Sequence, residues 1–272
     1  SDLAAAAELA LRFSARGAAL TYACACASSA VAIGEALRAL RAGWIDVAIA
    51  GGHEALLVPG VIAGWEAMRV LAPVGADAAS ACRPFSADRA GFALGEGAAA
   101  LVLETEAHAQ ARGAASALFL AGYATNCDGM HITAPHAPGQ ARALRAALRD
   151  AGIAASDVGY VNAHGTATTA GDAAEAQSVA EVFGFATPIS STKAIHGHLL
   201  GGSGAVELIA TLRALQERRL PPTAHLRQPD PAFALDLVQG EARAAPGLRY
   251  AVSNSFAFGG TNAVLVAGCD AI

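Results

Sequence analysis

Two stretches of this sequence recur, and the recurrence constrains the fold more than any other feature. Ser28-Ser29-Ala30-Val31, followed by Leu37-Arg38-Ala39-Leu40, returns as Ser203-Gly204-Ala205-Val206 and Leu212-Arg213-Ala214-Leu215 at a constant offset. Further along, Phe92-Ala93-Leu94-Gly95 with Ala99-x-Leu101-Val102 returns as Phe256-Ala257-Phe258-Gly259 with Ala263-x-Leu265-Val266. Alanine-rich chains produce chance matches, but two in the same order, with similar spacing between them, mark a duplicated unit. The period of the apolar residues says what the unit is made of. Strand-length apolar runs occur at Ala19–Ala23, Val47–Gly51, Ala98–Glu104, Leu118–Tyr123, Gly159–Ala163, Arg249–Ser253 and Ala263–Ala267. Helical patterns span Ser28–Ala42, Gly139–Ala151, Ala173–Phe183 and Gly204–Glu217, with Gly152 and Gly184 where helix stops belong. Continuous apolar strands alternating with helices predict an α/β fold with a mostly parallel sheet covered on both faces.

The two copies are unequal. A strand–helix–strand–helix segment from about Leu118 to Thr192 precedes the matched helix of the second copy, whereas residues 1 to 27 precede that of the first. The chain therefore divides into residues 1–112, carrying an incomplete first unit, and residues 113–272, carrying the second. An incomplete unit leaves open sheet edges and apolar faces, which compact domains cover. Another polypeptide segment or a partner subunit is expected there.

Composition narrows the class. Hydrophobic residues make up 54% and charged residues 15%, which suits an enzyme with a broad buried sheet and large subunit contacts. With 23 acidic against 18 basic residues and no Lys/Arg run, nucleic acid is not an expected partner. The apolar stretch Ala48–Met68 is interrupted by His53, Glu54, Pro59 and Glu66, so no membrane span is expected. The opening Ser1-Asp2-Leu3 lacks a signal peptide's cationic start, and five unevenly spaced cysteines do not form a disulfide framework. Both point to a reducing cytoplasm.

Four segments carry candidate chemistry. In Thr21-Tyr22-Ala23-Cys24-Ala25-Cys26-Ala27-Ser28-Ser29-Ala30 a strand pattern runs through small residues straight into a helix. That arrangement presents Cys26 at a helix N-terminus, where the dipole and free N–H groups favour a thiolate and can hold an oxyanion. Taken alone, Cys26 could equally be a small core residue. Asn162-Ala163-His164-Gly165-Thr166-Ala167-Thr168, then Gly171-Asp172 and Glu175, places His164 at the C-terminal end of a strand, where α/β folds put ligands. Its two threonines offer hydroxyls to a polar, amide-containing arm. Ser190-Ser191-Thr192-Lys193-Ala194-Ile195-His196-Gly197-His198 leads into the repeat-mate of the helix after Cys26, so Cys26 and His198 stand at nearly equivalent helix entrances and should face one cleft. Asn254-Ser255-Phe256-Ala257-Phe258-Gly259-Gly260-Thr261-Asn262 reads as a glycine-rich turn between strands that can bring N–H groups to a substrate carbonyl.

With these residues in hand, the chain resembles the β-ketoacyl-acyl-carrier-protein synthases of type II fatty acid and polyketide assembly, which have the thiolase fold. The marks stand in order: Cys26-Ala27-Ser28-Ser29, Arg83-Pro84-Phe85, Gly95-Glu96-Gly97, Asn162-Ala163-His164-Gly165-Thr166, Thr192-Lys193 with Gly197-His198, and Asn254 to Asn262. They span essentially the whole chain, although the family also has a portion ahead of the nucleophile segment that is absent here. The resemblance implies that Cys26 takes an acyl group from a carrier-protein phosphopantetheine thioester. His164 and His198 would then assist decarboxylation of malonyl-carrier protein. Lys193 and Glu175 would form a charged layer behind the histidines, and the N–H groups of Cys26 and Phe258 an oxyanion hole. Phe258 would gate the site, and Thr166, Thr168 and Thr133 would contact the pantetheine arm. No resident cofactor is implied. The partners implied are acyl carrier protein and, as homodimer or heterodimer, a second ketosynthase-like subunit.

Three positions depart from the family pattern. Cys24 stands where a hydroxyl residue is usual; on a strand its two-residue spacing from Cys26 would put both side chains on one face, and either a disulfide or oxidative partner or a small buried residue fits. His196 replaces a threonine or aliphatic residue. Ala257 replaces the flexible glycine before Phe258, from which a stiffer gate and altered chain-length preference are expected. Competing readings are a non-catalytic chain-length-factor-like subunit, a metal site on Cys24/Cys26 and His196/His198, and a thiolase. The first is opposed by the presence of Cys26, His164 and His198, the second by ligand spacing, and the third by the two-histidine pattern with Cys269 as the sole late cysteine.

Overall fold

The computed structural model describes residues 3–75 and 77–270. In the first half the regular elements are α1 (Leu3–Phe13), α2 (Ser28–Arg41), β1 (Val47–Glu54), α3 (Pro59–Ala67), β2 (Gly97–Glu104) and α4 (Glu106–Ala111). The second half continues with β3 (Leu118–Cys127), α5 (Ala137–Ala151), β4 (Val158–Asn162), α6 (Thr169–Phe183), β5 (Ile189–Ser190), α7 (Lys193–His196) and α8 (Ser203–Glu217). It ends with β6 (Arg219–Leu220), β7 (Arg243–Ala244), β8 (Tyr250–Phe256) and β9 (Thr261–Cys269). Gly152, at φ +67°, and Gly184, at φ +76°, close α5 and α6 as their positions in the sequence predict. No helix among the described residues is long and apolar enough to cross a membrane.

The main sheet has the order β3-β9-β8-β4-β5. It is mixed rather than mostly parallel. β4 runs parallel to β8 and β5, while β8–β9 and β3–β9 are antiparallel, as are β1–β2 in their own sheet. The reason is connectivity: four residues, 257–260, join β8 to β9, and so short a link can only reverse the chain. The expected strand at Ala19–Ala23 does not form. Residues 18–24 join no ladder among the described residues, and a strand needs a neighbouring strand to bond to.

The layers follow from side-chain alternation. Along β9, Ala263, Leu265 and Ala267 face α2 and α8, meeting Ile33, Leu37, Leu208 and Leu215. Val264 and Val266 face the other way, onto Leu144 and Ala147 of α5 and Val179 of α6. Both faces of this sheet are thus covered, which explains its unbroken apolar strands. The inner face of β1–β2, with Ala50, Leu101 and Leu103, closes on the same α2–α8 layer. Its outer face presents Val47 at 46% and Val102 at 65% exposure.

The duplication is repeated in the backbone. Each matched helix is entered through a 3-10 turn, Ala25–Ala27 before α2 and Leu200–Gly202 before α8. Ala25 (φ +47°) and Leu200 (φ +43°) sit at equivalent places, both in a left-handed conformation that costs a non-glycine residue energy. At the offset relating Ser28 to Ser203, the mate of Cys26 is Gly201 and that of His198 is Ala23. Cys26 and His198 therefore lie on paired helix entrances but not at the same step.

Candidate active site

The two helix entrances meet, and the cysteine and histidines meet with them. Cys26, in the turn before α2, is 6% exposed, and its Sγ lies 3.1 Å from His198 Nε2. His198 Nδ1 is 2.9 Å from Ser203 Oγ, at the first residue of α8. His164 follows β4, and its ring lies 5.3 Å from that of His198 at 81°. One donor atom each from Cys26, His164 and His198 falls within a 4.8 Å cluster. These three residues, read from separate stretches of sequence, are brought together.

Burial sets their charge states. It pushes the Cys26 thiol up to about 11, opposed by Lys193 and by the nearby backbone N–H groups of Phe258 and Cys26 itself. Burial, then Lys193, holds both imidazoles well below the ordinary histidine value. The resting site is a neutral thiol beside two neutral imidazoles. Lys193 Nζ donates to His164 Nδ1 across 3.3 Å, which places the His164 proton on Nε2. An imidazole so oriented can donate to an oxygen that gains negative charge.

Behind the histidines lie three buried charged groups, Lys193, Glu175 and Glu207. Lys193 is fully buried and pairs with Glu207 on α8, not with Glu175. Burial raises Glu207 to about 7 while Lys193 pulls it down. Glu175 acts on the main chain: Oε1 accepts from His164 N at 2.8 Å and Asn254 Nδ2 at 3.0 Å, and Oε2 accepts from Gly165 N at 2.7 Å. Glu207 was missed, although an acid on the buried face of an apolar helix is a signal by itself, because such a group must find a cation. Asp172, buried and raised to about 7 mainly by burial, accepts from Phe85 N and Ala167 N and fixes the loop after His164.

A cavity of about 230 Å³ opens onto Cys26, His164 and His198, and Thr133, Thr166, Thr168 and Phe258 line it. Thr168 Oγ1 also caps α6, accepting from Gly171 N at 3.2 Å, and lies 2.9 Å from Thr166 Oγ1. Phe258 stacks on Trp65 at 6.1 Å between centroids. Ala257, at φ −111° and ψ 155°, adopts a conformation open to any residue, and the turn is made instead by Gly259 (φ +85°) and Gly260 (φ +76°).

Cys24 and His196 stay outside the cluster. With no strand at Ala19–Ala23, the same-face relation of Cys24 to Cys26 does not hold. Both are free thiols, and Cys24 packs against the core beneath α2. His196 bridges Thr192 Oγ1 at 3.1 Å and the Gly197 carbonyl at 2.7 Å, bracing the turn between Lys193 and His198.

Comparison with known proteins accords with this geometry. Residues 1–109 match the N-terminal domain of β-ketoacyl synthases and residues 118–227 match the C-terminal domain. The chain is 46% identical over 265 residues to Nodulation protein E of Rhizobium meliloti, covering 96% of this chain and 64% of the relative. It is 45% identical over 247 residues to 3-oxoacyl-[acyl-carrier-protein] synthase 2 of Staphylococcus aureus, covering 89% of this chain and 61% of the relative. The chain thus spans less than two thirds of the length of these relatives. Among solved structures, a β-ketoacyl synthase from Burkholderia phymatum STM815 superposes with a TM-score of 0.92 at 39% identity, covering 97% of this chain and 65% of that one. A type II polyketide ketosynthase in complex with its acyl carrier protein gives a TM-score of 0.95 at 33% identity, covering 99% and 67%. The chain belongs to the β-ketoacyl synthase family and has its thiolase fold.

Proposed function

We propose that the protein condenses an acyl group held on Cys26 with malonyl-acyl-carrier protein, giving 3-oxoacyl-acyl-carrier protein in fatty acid or type II polyketide synthesis. The observation that carries this reading is the convergence of Cys26, His198 and His164 at one end of a cavity whose walls carry threonine hydroxyls. In the first half-reaction the Cys26 sulfur adds to the acyl thioester carbonyl, and the carrier thiol leaves with the cysteine proton. The N–H groups of Cys26 and Phe258, which lie near the sulfur, suit the oxygen that becomes negative at this step. In the second, the C–COO⁻ bond of the malonyl group breaks, carbon dioxide leaves, and its electron pair forms an enolate. His164 and His198, neutral and 5.3 Å apart, are placed to donate to that oxygen. The enolate carbon bonds to the acyl carbonyl, and Cys26 leaves as a thiolate that takes up a proton from solvent. Lys193 and Glu175 orient His164, one through Nδ1 and the other through its backbone. No resident cofactor enters; the phosphopantetheine arm belongs to the carrier-protein substrate.

The same reading assigns the exposed Val47–Val102 face to contact with another ketosynthase-like polypeptide, either a second subunit or a segment ahead of the nucleophile, in the cytoplasm. The deciding experiment incubates the protein with acyl-carrier protein, with and without such a companion, and follows intact mass. A mass gain on Cys26 that disappears in Cys26→Ala, followed by 3-oxoacyl product on adding malonyl-carrier protein, is the expected result. Failure to acylate Cys26 in either setting refutes the reading and leaves a non-catalytic subunit.

A further inference from the structure

Trp65 has no part in the chemistry above, yet it touches both sides of the site. It is carried by α3, a strongly apolar helix none of whose residues is buried. Its indole stacks on Phe258 at 6.1 Å and 30°, and meets Phe92 edge-on at 5.6 Å. Phe92 in turn stands edge-on to His198 at 5.1 Å, and His198 touches Cys26. An unbroken series of ring contacts therefore runs from the turn over the cavity to the imidazole beside the nucleophile.

Phe258 is half-buried. Backbone bonds anchor its turn on both sides, Ala257 N to the Thr261 carbonyl and Gly259 N to the Ile132 carbonyl, but the indole is its one ring neighbour among the described residues. A ring pair of this distance and tilt lies within the attractive range for offset stacking.

We propose that Trp65 is a positioning residue, a latch that holds Phe258 closed over Cys26 and so limits the size of the group Cys26 can carry. That Phe258 gates the site is what the family resemblance implies, and it rests on the same reading as the function proposed above, but the latch can be tested without condensation chemistry. Trp44 and Trp65 are the only tryptophans. Trp44 is 80% exposed, so Trp44→Phe isolates the Trp65 signal. Cys127→Ser removes an exposed thiol whose sulfur lies 3.5 Å from the Gly259 carbonyl, beside the turn.

In that background Cys26 is alkylated with iodoacetamide and with its N-dodecyl analogue, and peptide mass spectrometry gives the rate at Cys26 for each. One stacked pair shifts an opening equilibrium by roughly 2- to 13-fold. Trp65→Leu should therefore raise the ratio of the dodecyl rate to the small-reagent rate by about that factor. Trp65→Phe, which keeps a stacking ring, should stay within about twofold of the parent. The dodecyl adduct should also shift Trp65 emission, while the small adduct leaves it in place. An unchanged rate ratio in Trp65→Leu overturns the latch. If that variant does not fold, equal emission spectra for the two adducts of the parent overturn it instead. Loss of condensation with these results intact would refute the function and leave the latch standing.

Discussion

Replacing Glu175 by Gln tests how His164 is held. The carboxylate accepts three hydrogen bonds, two of them from successive backbone N–H groups, at His164 and Gly165, and is 1% exposed. Gln has one carbonyl oxygen. If that oxygen keeps the bonds to His164 and Asn254, the amide NH₂ faces the N–H of Gly165, donor against donor. A lost bond to a charged acceptor costs about 1.5–3 kcal/mol, and an orphaned buried N–H about 1–3 kcal/mol more. Part of this is returned, because burial of the carboxylate is itself unfavourable and raises its pKa, whereas Gln buries no charge. The net expectation is a loss of about 2–4 kcal/mol, or a melting point lower by about 4–16 °C for a domain of this size. His164 moves with its backbone, and a displacement near 1 Å costs about 10²-fold in rate. Circular dichroism melting and the condensation rate, measured on one preparation, give both numbers. A melting point within about 2 °C of wild type, with an unchanged rate, would refute the argument.

Three further outcomes are expected. Cys26, held up near 11 by burial, should be alkylated by iodoacetamide about tenfold faster for each pH unit between roughly 7 and 10; a plateau by about pH 8 would mean a thiolate at rest. His198 is held below its ordinary pKa of 6.5, so as pH falls below 6.5 the unfolded chain binds a proton that the folded chain refuses, and stability declines. His198→Gln should therefore gain on wild type by up to about 1.4 kcal/mol between about pH 6.5 and 5.5, read from urea midpoints; a constant difference contradicts it. A Cβ on Gly34 would lie 2.3 Å from ring carbons of Tyr123, which is buried beneath Arg38 and bonded to Glu35. Gly34→Ala should lower the urea midpoint by the equivalent of about 1–3 kcal/mol with an unchanged m-value, and an unshifted midpoint would show that the ring can yield.

Much of the site was legible in the chain because its pieces are local. Cys26 follows small residues at a helix entrance, His164 follows an apolar strand, and Lys193 and His198 share one turn. Those are short-range patterns, and the period of the apolar residues placed the helices that carry them. The repeat added that two of the pieces occupy matching entrances, which the paired left-handed residues Ala25 and Leu200 bear out. Less was legible where a residue's meaning depends on its neighbour in space. Glu207 sits among apolar residues, and nothing local announces Lys193, 14 positions away, as its partner. Trp65 is one aromatic in an apolar helix until Phe258, far along the chain, is laid on it. The run Ala19–Ala23 has strand composition, but a strand needs an adjacent strand to bond to, and here there is none among the described residues.

The sequence by itself determined the alternating α/β units and singled out Cys26, His164 and His198 as candidates, since these follow from periodicity and from residue types at helix and strand ends. Only the tertiary structure decided the mixed direction of the sheet, the charge partner of Lys193, the neutral state of the thiol and imidazoles, and the stacking of Phe258 on Trp65. Each of those depends on burial and on contacts between distant segments. Dielectric surroundings and ring-to-ring distances exist only once the layers have closed around α2 and α8.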